Sequence, residues 1–369
     1  MAPLAASVAA TVAATVALGM GVALAKAERE RRAGRTRLAA ERQFGLLPGE
    51  PLHEGLRRIA LGQLDLAIEL LGGANGSAPD EKAVHETRKA LKRLRALMRL
   101  LERELGEEAY ARESAALRST GRRLAGARDA EVMVSTLEAL LERHPRKLGR
   151  RRGLVKLRAR LVAEREAATA RTLGDAAMRW EVLAELRAIR ARVAAWRLTE
   201  ARGMRLVEPG LARLYRQGRR RHGRATRGRS DRGRALHEWR KRVKDLRYAA
   251  EILDRRDPAA RRGRGRGRAR GKDARLIGEL ARSADRLGEA LGEEHDLAVL
   301  AERVRVQSRR GAGAARLGRR SRRAALKTIA RRRRALRSRT LREGARLYRR
   351  SPKRFVARVR GAYRRASFS

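Results

Sequence analysis

The stretch "VHETRKALKRLRALMRLLE", residues 84–102, decides how the rest of this chain reads. It holds one histidine and six cations, Arg88, Lys89, Lys92, Arg93, Arg95 and Arg99, against two acids, Glu86 and Glu102. On a helical wheel of about 100° per residue, His85, Arg88, Lys92, Arg95 and Arg99 fall within an arc of about 80°, with Lys89 flanking them. Leu91, Leu94, Leu97, Met98 and Leu101 occupy the opposite half. The spacing predicts a helix with one face for an apolar core and a nearly pure cationic face aimed elsewhere. Like charges at i, i+3 and i+4 cost roughly 0.2–0.5 kcal/mol per pair in an isolated helix, so a purely structural helix usually intersperses glutamates.

A second stretch, "LHEWRKRVKDLRYAAEILD" at 236–254, repeats the pattern after a displacement of 152 (236 − 84). His85, Glu86, Arg88, Lys89, Lys92, Leu94, Arg95 and Leu101 meet the same residue types at His237, Glu238, Arg240, Lys241, Lys244, Leu246, Arg247 and Leu253. The expected buried side is Leu236, Val243, Leu246, Ala250 and Leu253. One basic face reads as a solvated surface. The same types at matching positions in two otherwise diverged halves suggest a shared use. A second pair of segments, "RRLAGARDAEVMVSTL" at 122–137 and "EALGEEHDLAVLAERV" at 289–304, sets Arg128-Asp129 against His295-Asp296. Here the displacement is 167 (289 − 122), so the second half has gained residues between its motifs. The candidate insertion is "RRGRGRGRARGKD", 261–273, an Arg–Gly tract that cannot form a core and is expected to be a mobile basic loop.

Apolar positions at i, i+3, i+4 and i+7 recur from about residue 50 onward, and no run alternates as a strand would. Breakers divide the helices at "LLPGEP", at "GGANGSAPD" (72–80) and at "HPRK" (144–147). Ser77 or Asp80 is the expected N-cap of the first cationic helix. Residues from about 150 to 200 read as one long helix, and "VEPG" at 207–210 opens the next unit. The expected architecture is all-α: two duplicated four-helix bundles with pseudo-twofold symmetry around a basic cleft or pore. The expected divisions are 1–49, an apolar segment plus basic linker; 50–204, the first bundle; and 205–369, the second.

The chain of 369 residues carries 93 Lys+Arg against 41 Asp+Glu, a net charge of +52. Such a chain seeks polyanions: nucleic acid, anionic lipid or phosphate polymers. A compositional preference for arginine explains part of the total but not charges confined to one helix face. Helical steps of three or four residues advance about 5–6 Å, which suits successive phosphates of an extended polymer. Arginine grips oxyanions through its planar fork and lysine acts as a compact charge. His85 and His237, at the head of each stripe, offer a ring N–H and a second cation if the anion field raises their pKa. Aromatics, at 3%, are too few for a base-stacking single-strand surface.

Without cysteine the chain has no disulfide, thiol chemistry or cysteine-held metal. The six histidines, His53, His85, His144, His222, His237 and His295, contain no HxH or HExxH pair, and no metal or cofactor is expected. No catalytic carboxylate pair, nucleophile arrangement or phosphate-cradling glycine motif stands out, and the "GRGRGR" tract lacks the G-K-[ST] ending of a P-loop. Residues 2–25 are uncharged and long enough to cross a bilayer, but are rich in weak membrane formers. A membrane anchor, a helix packed on the body and a mobile tail all remain open for them. The basic run "KAERERR" that follows would hold the body in the cytoplasm.

These motifs resemble the CHAD family, named for conserved histidines in an α-helical domain. The resemblance rests on "VHETRKALKRLR" from 84, "RRLAGARDAEV" from 122, "LHEWRKRVKDLRY" from 236, "LGEEHDLAVL" from 291 and "GARLYRRSPKRFVARV" from 344, and spans roughly residues 50–360. It implies two helical bundles around a basic cleft, non-enzymatic binding of inorganic polyphosphate, and association with polyphosphate granules in the cytoplasm. Nucleic acid is the alternative partner. Family roles carry over to His85, Arg88, Lys89, Lys92 and Arg95, with Arg99 completing the stripe, and to His237, Arg240, Lys241, Lys244 and Arg247. Arg122, Arg123 and Arg128 match the third-helix motif, and Lys353 and Arg354 the closing one. Asp245 stands where the first stripe has Arg93, and Glu251 where it has Arg99, so the second stripe is expected to be shorter. Members often accompany a triphosphate-cleaving domain with an E-x-E-x-K strand motif; "ERERR" at 28–32 matches it only superficially, in a helical context.

Overall fold

The cationic stretch forms the helix its pattern predicts, and its ends follow from local chemistry. In the computed structural model this helix spans Glu81–Leu105, and the Asp80 side chain caps it by accepting from the Ala83 N–H at 2.6 Å. It stops at Gly106, whose φ of 79° a residue with a Cβ rarely adopts. The structure describes residues 44–73, 79–228, 231–255, 275–309 and 317–367. Residues 2–25 and the Arg–Gly tract at 261–273 lie outside them, as does Ser77.

The described residues hold helices and turns and no strand. In chain order the α-helices are α1 (Leu52–Gly72), α2 (Glu81–Leu105), α3 (Glu107–Arg123), α4 (Gly126–Arg143), α5 (Arg152–Gly174) and α6 (Ala176–Ala194). There follow α7 (Glu208–Arg227), α8 (Arg232–Leu253), α9 (Leu276–Arg309), α10 (Arg319–Leu347) and α11 (Pro352–Ser367). The long helix expected over 150–200 is instead two. Gly174 ends α5, and Asp175 restarts the chain by accepting from the Met178 N–H at 2.8 Å. A glycine followed by a capping aspartate is a stop-and-start signal that the apolar periodicity masked.

Packing partners recur in the same order along the chain. Helix α1 packs on α2 and on α6, and α4 on α5; later α7 packs on α8 and on α11, and α9 on α10. Phe44–Ser369 cluster as one compact unit. Met204, Leu206 and Val207, around the expected division at 204/205, are buried in an interior drawn from both halves. That interior joins the apolar sides of α1, α2, α6, α7, α8 and α11, including every leucine and methionine assigned inward on α2 and α8. Each buried leucine contributes about 1.5–3 kcal/mol relative to exposure, so the apolar face fixes which way the cations point. A second apolar cluster is built from α4, α5, α10 and the later part of α9. The cationic faces of α2 and α8 turn toward the space between the two clusters.

Candidate functional site

That space is a cavity of about 1210 Å³, walled by α2 and α8 from one side, α4 and α5 from the other, and α9. His85, Arg88, Lys89, Lys92, Arg95 and Arg99 line it from α2, and His237, Arg240, Lys241, Lys244 and Arg247 from α8. Arg128 reaches it from α4. The remaining expected positions do not. Arg122 and Arg123 end α3 exposed to solvent, and Arg123 pairs with Glu181 at 2.5 Å. Lys353 and Arg354 open α11 on another part of the surface. Arg93, whose wheel position differs from that of the stripe, packs 4.6 Å from the Phe44 ring centre.

The lining cations fall into two sets. One set is committed to the protein. Arg99 donates to Asp245 at 2.9 Å and Arg242 pairs with the same carboxylate at 3.1 Å. Arg247 pairs with Glu251 at 2.6 Å and also with Asp285. Arg88 donates to the Leu124 carbonyl at 2.6 Å, which ties α2 to the end of α3. Lys89 and Lys241 each pair one turn back, with Glu86 and Glu238. The other set is Lys92, Arg95, Arg128, Arg240 and Lys244, with Arg171 of α5 beside them. None of these has a carboxylate within ion-pair distance among the described residues. The Arg95 and Arg240 Nε atoms are buried and find no hydrogen-bond partner there. Gly292 on α9 makes room for Arg240, since a Cβ there would stand 3.1 Å from its guanidinium.

Burial, and after it mutual repulsion, shows in the proton affinities. Burial, then Arg88 and Arg240, pulls the Lys92 ammonium down to about 8. Burial, then Arg240 and Lys92, does the same to Lys244 on the neighbouring α8. Burial and Arg99 bring Arg95 down to about 10. His85, His237 and His295 are all lowered, each by burial first; Arg128, His295 and Arg240 respectively are the next cause. The His237 and His295 rings lie 4.2 Å apart, and His237 Nδ1 is buried without a partner among the described residues. Burial raises the carboxyl of Asp296 on the α9 wall. Electrostatically, the cavity is a place where anions relieve repulsion that the protein itself leaves uncompensated.

Sequence reasoning missed Arg171, Arg242, His295 and Arg303 as lining residues. His295 could have been found, because it aligns with Arg128. Arg242 braces Asp245 and Arg303 pairs with Glu164 at 3.3 Å. Nothing in their spacing marks Arg171 or Arg303. No group of three or more metal-ligating side chains occurs among the described residues.

Fold and cavity together define an all-helical domain built around a basic chamber. The family model described as "CHAD domain" matches residues 69–262, and the chain belongs to that family. No curated protein matches. The fold is similar to the crystal structure of the CHAD domain from the plant Ricinus communis. That likeness has a TM-score of 0.54 and 20% identity, covering 83% of this chain and 94% of that one. Residues His295, Asp296 and Arg303 of the cavity lie beyond the matched segment.

Proposed function

We propose that this protein binds inorganic polyphosphate in the chamber, as a binding module rather than an enzyme. The observation that carries this reading is the set Lys92, Arg95, Arg128, Arg240 and Lys244, cations from three helices that converge on one cavity without counter-ions among the described residues. A flexible chain of phosphates supplies closely spaced charges to all walls at once. Each charge-assisted contact contributes about 1.5–3 kcal/mol. The family to which the chain belongs is linked to the same ligand. The recurring order of packing partners supports reading the two halves as duplicated bundles that share the chamber. Such binding would attach the protein to polyphosphate granules in the cytoplasm.

The test is calorimetric titration of linear polyphosphate into the parent and into a variant with Arg88, Lys92, Arg240 and Lys244 all changed to Ala. Binding that is steep in salt for the parent and lost in the variant, at unchanged helix content, is the expected result. Equal binding by both overturns the proposal. Release of phosphate from the polymer with any divalent metal would overturn the non-enzymatic part.

A further inference from the structure

The longest run of positive charge on this chain lies outside the chamber. Helix α10 carries thirteen Lys and Arg against one acid, Glu343. They sort by face. Those turned toward α9 are paired: Arg332 with Glu293 at 2.7 Å, and Arg333 and Arg337 with Glu294 at 2.9 and 2.8 Å. Arg320, Arg323, Lys327, Arg331 and Arg334 are exposed and have no carboxylate partner among the described residues. By helical spacing these five fall in an arc of about 80° and extend about 21 Å along the axis. The steps of three and four residues are those of the α2 stripe, here facing solvent. None of the five lines the chamber.

The turn Pro145–Gly149 packs beside the first half of α10 through buried Leu148, and adds exposed Arg146, Lys147, Arg150 and Arg152 to the same neighbourhood. Gly153 and Ser321 are close enough that a Cβ on the glycine would stand 3.5 Å from the Ser321 side chain. The surface is thus built from two chain segments far apart in sequence.

We propose that the outer face of α10, with the turn at 145–152, docks double-stranded nucleic acid through its phosphate backbone. Three arguments favour a duplex over a single strand or a lipid surface. A duplex presents one charge per about 1.7 Å of axis, so each cation of an open, straight stripe finds a phosphate within reach. Single strands are held by stacking on aromatic side chains, and α10 has none. Lipid surfaces take up an apolar helix face, whereas Ala325, Ile329 and Leu336 of α10 are buried in the second apolar cluster. Contacts to phosphate alone carry no sequence preference. The inference does not rest on the chamber's ligand and stands or falls separately from it.

The experiment is fluorescence anisotropy with a labelled duplex of about two helical turns, roughly 21 base pairs, over a series of salt concentrations. The proteins are the parent, the triple variant Arg323→Gln, Lys327→Gln, Arg331→Gln, and the chamber variant Lys92→Gln, Lys244→Gln. The α10 variant is expected to lose at least about ten-fold in duplex affinity. Its log K against log salt should be shallower by about 2.7, three phosphate contacts at about 0.9 each. Its helix content and thermal unfolding midpoint, read by circular dichroism, should match the parent's, which reports an intact fold. The chamber variant should bind duplex as the parent does. Parental duplex binding by the α10 variant overturns the proposal, as does loss confined to the chamber variant. Tighter parental binding to phosphatidylcholine–phosphatidylserine vesicles than to duplex overturns the choice of partner.

Discussion

Asp245 of α8 accepts from Arg99 of α2 at 2.9 Å, so the two cationic helices are pinned together at the chamber wall. Both side chains are largely shielded from solvent. Asp245 is the position at which the second stripe departs from the first, and the structure gives the departure a purpose. It neutralises Arg99 and Arg242 where two like-charged helices come into contact. Changing Asp245 to Asn should cost about 3 kcal/mol, because it strands two partly buried guanidinium groups. Urea unfolding measures this, and the triple change Arg99→Met, Arg242→Met, Asp245→Leu should recover much of the loss.

The division of the cations into committed and uncompensated sets leads to a graded expectation for ligand binding. Lys92→Gln, Arg240→Gln and Lys244→Gln should each weaken polyphosphate binding by roughly ten-fold or more, at about 1.5–3 kcal/mol per charge-assisted contact. Arg122→Gln, Arg123→Gln, Lys353→Gln and Arg354→Gln lie outside the chamber and should change it little. Calorimetric titration of each single variant distinguishes the two groups.

The helices, their apolar sides and the inward cations were legible in the sequence because period 3.6 assigns faces unambiguously on a helix as charged as α2. What sequence could not give was partnership. Arg88, Lys92 and Arg95 look equivalent on a wheel, yet Arg88 is tied to Leu124 while Lys92 and Arg95 are left uncompensated. That difference arises from chain 36 residues away, at the joint between α3 and α4. The α5–α6 break was hidden for a different reason. The alanine-rich sequence on either side is strongly helical, and one Gly174-Asp175 step outweighs it through capping.

Affinity and stability should respond to pH in opposite directions. Lys92 and Lys244 lose their protons near pH 8 in the folded protein, against an ordinary value of 10.5. Polyphosphate binding should therefore weaken as pH rises through 8. The unfolded chain binds more protons between pH 8 and 10.5, so in that window these two groups make the unliganded fold more stable as pH rises. His85, His237 and His295 are held below 6.5 and are charged only in more acidic solution, where binding should tighten further. Calorimetry and urea unfolding across pH 5.5 to 10, a range set by these shifts, check both trends.

Gly210 of α7 lies against the backbone of Leu100 in α2, and a Cβ there would collide with the Leu100 carbonyl. Gly210→Ala should cost about 1–3 kcal/mol by forcing α7 away from α2. Polyphosphate should restore part of that loss by binding only the folded form. The midpoint of thermal unfolding with and without ligand reads both effects.

The most direct test of the chamber as the binding site is a lysine-labelling footprint, read by mass spectrometry, with and without linear polyphosphate. Lys92 and Lys244 face the chamber, whereas Lys82 and Lys353 do not. Strong protection of the first two, with Lys82 and Lys353 labelled as before, is the expected outcome. Protection spread evenly over all four, or absent from Lys92 and Lys244, would contradict binding within the chamber.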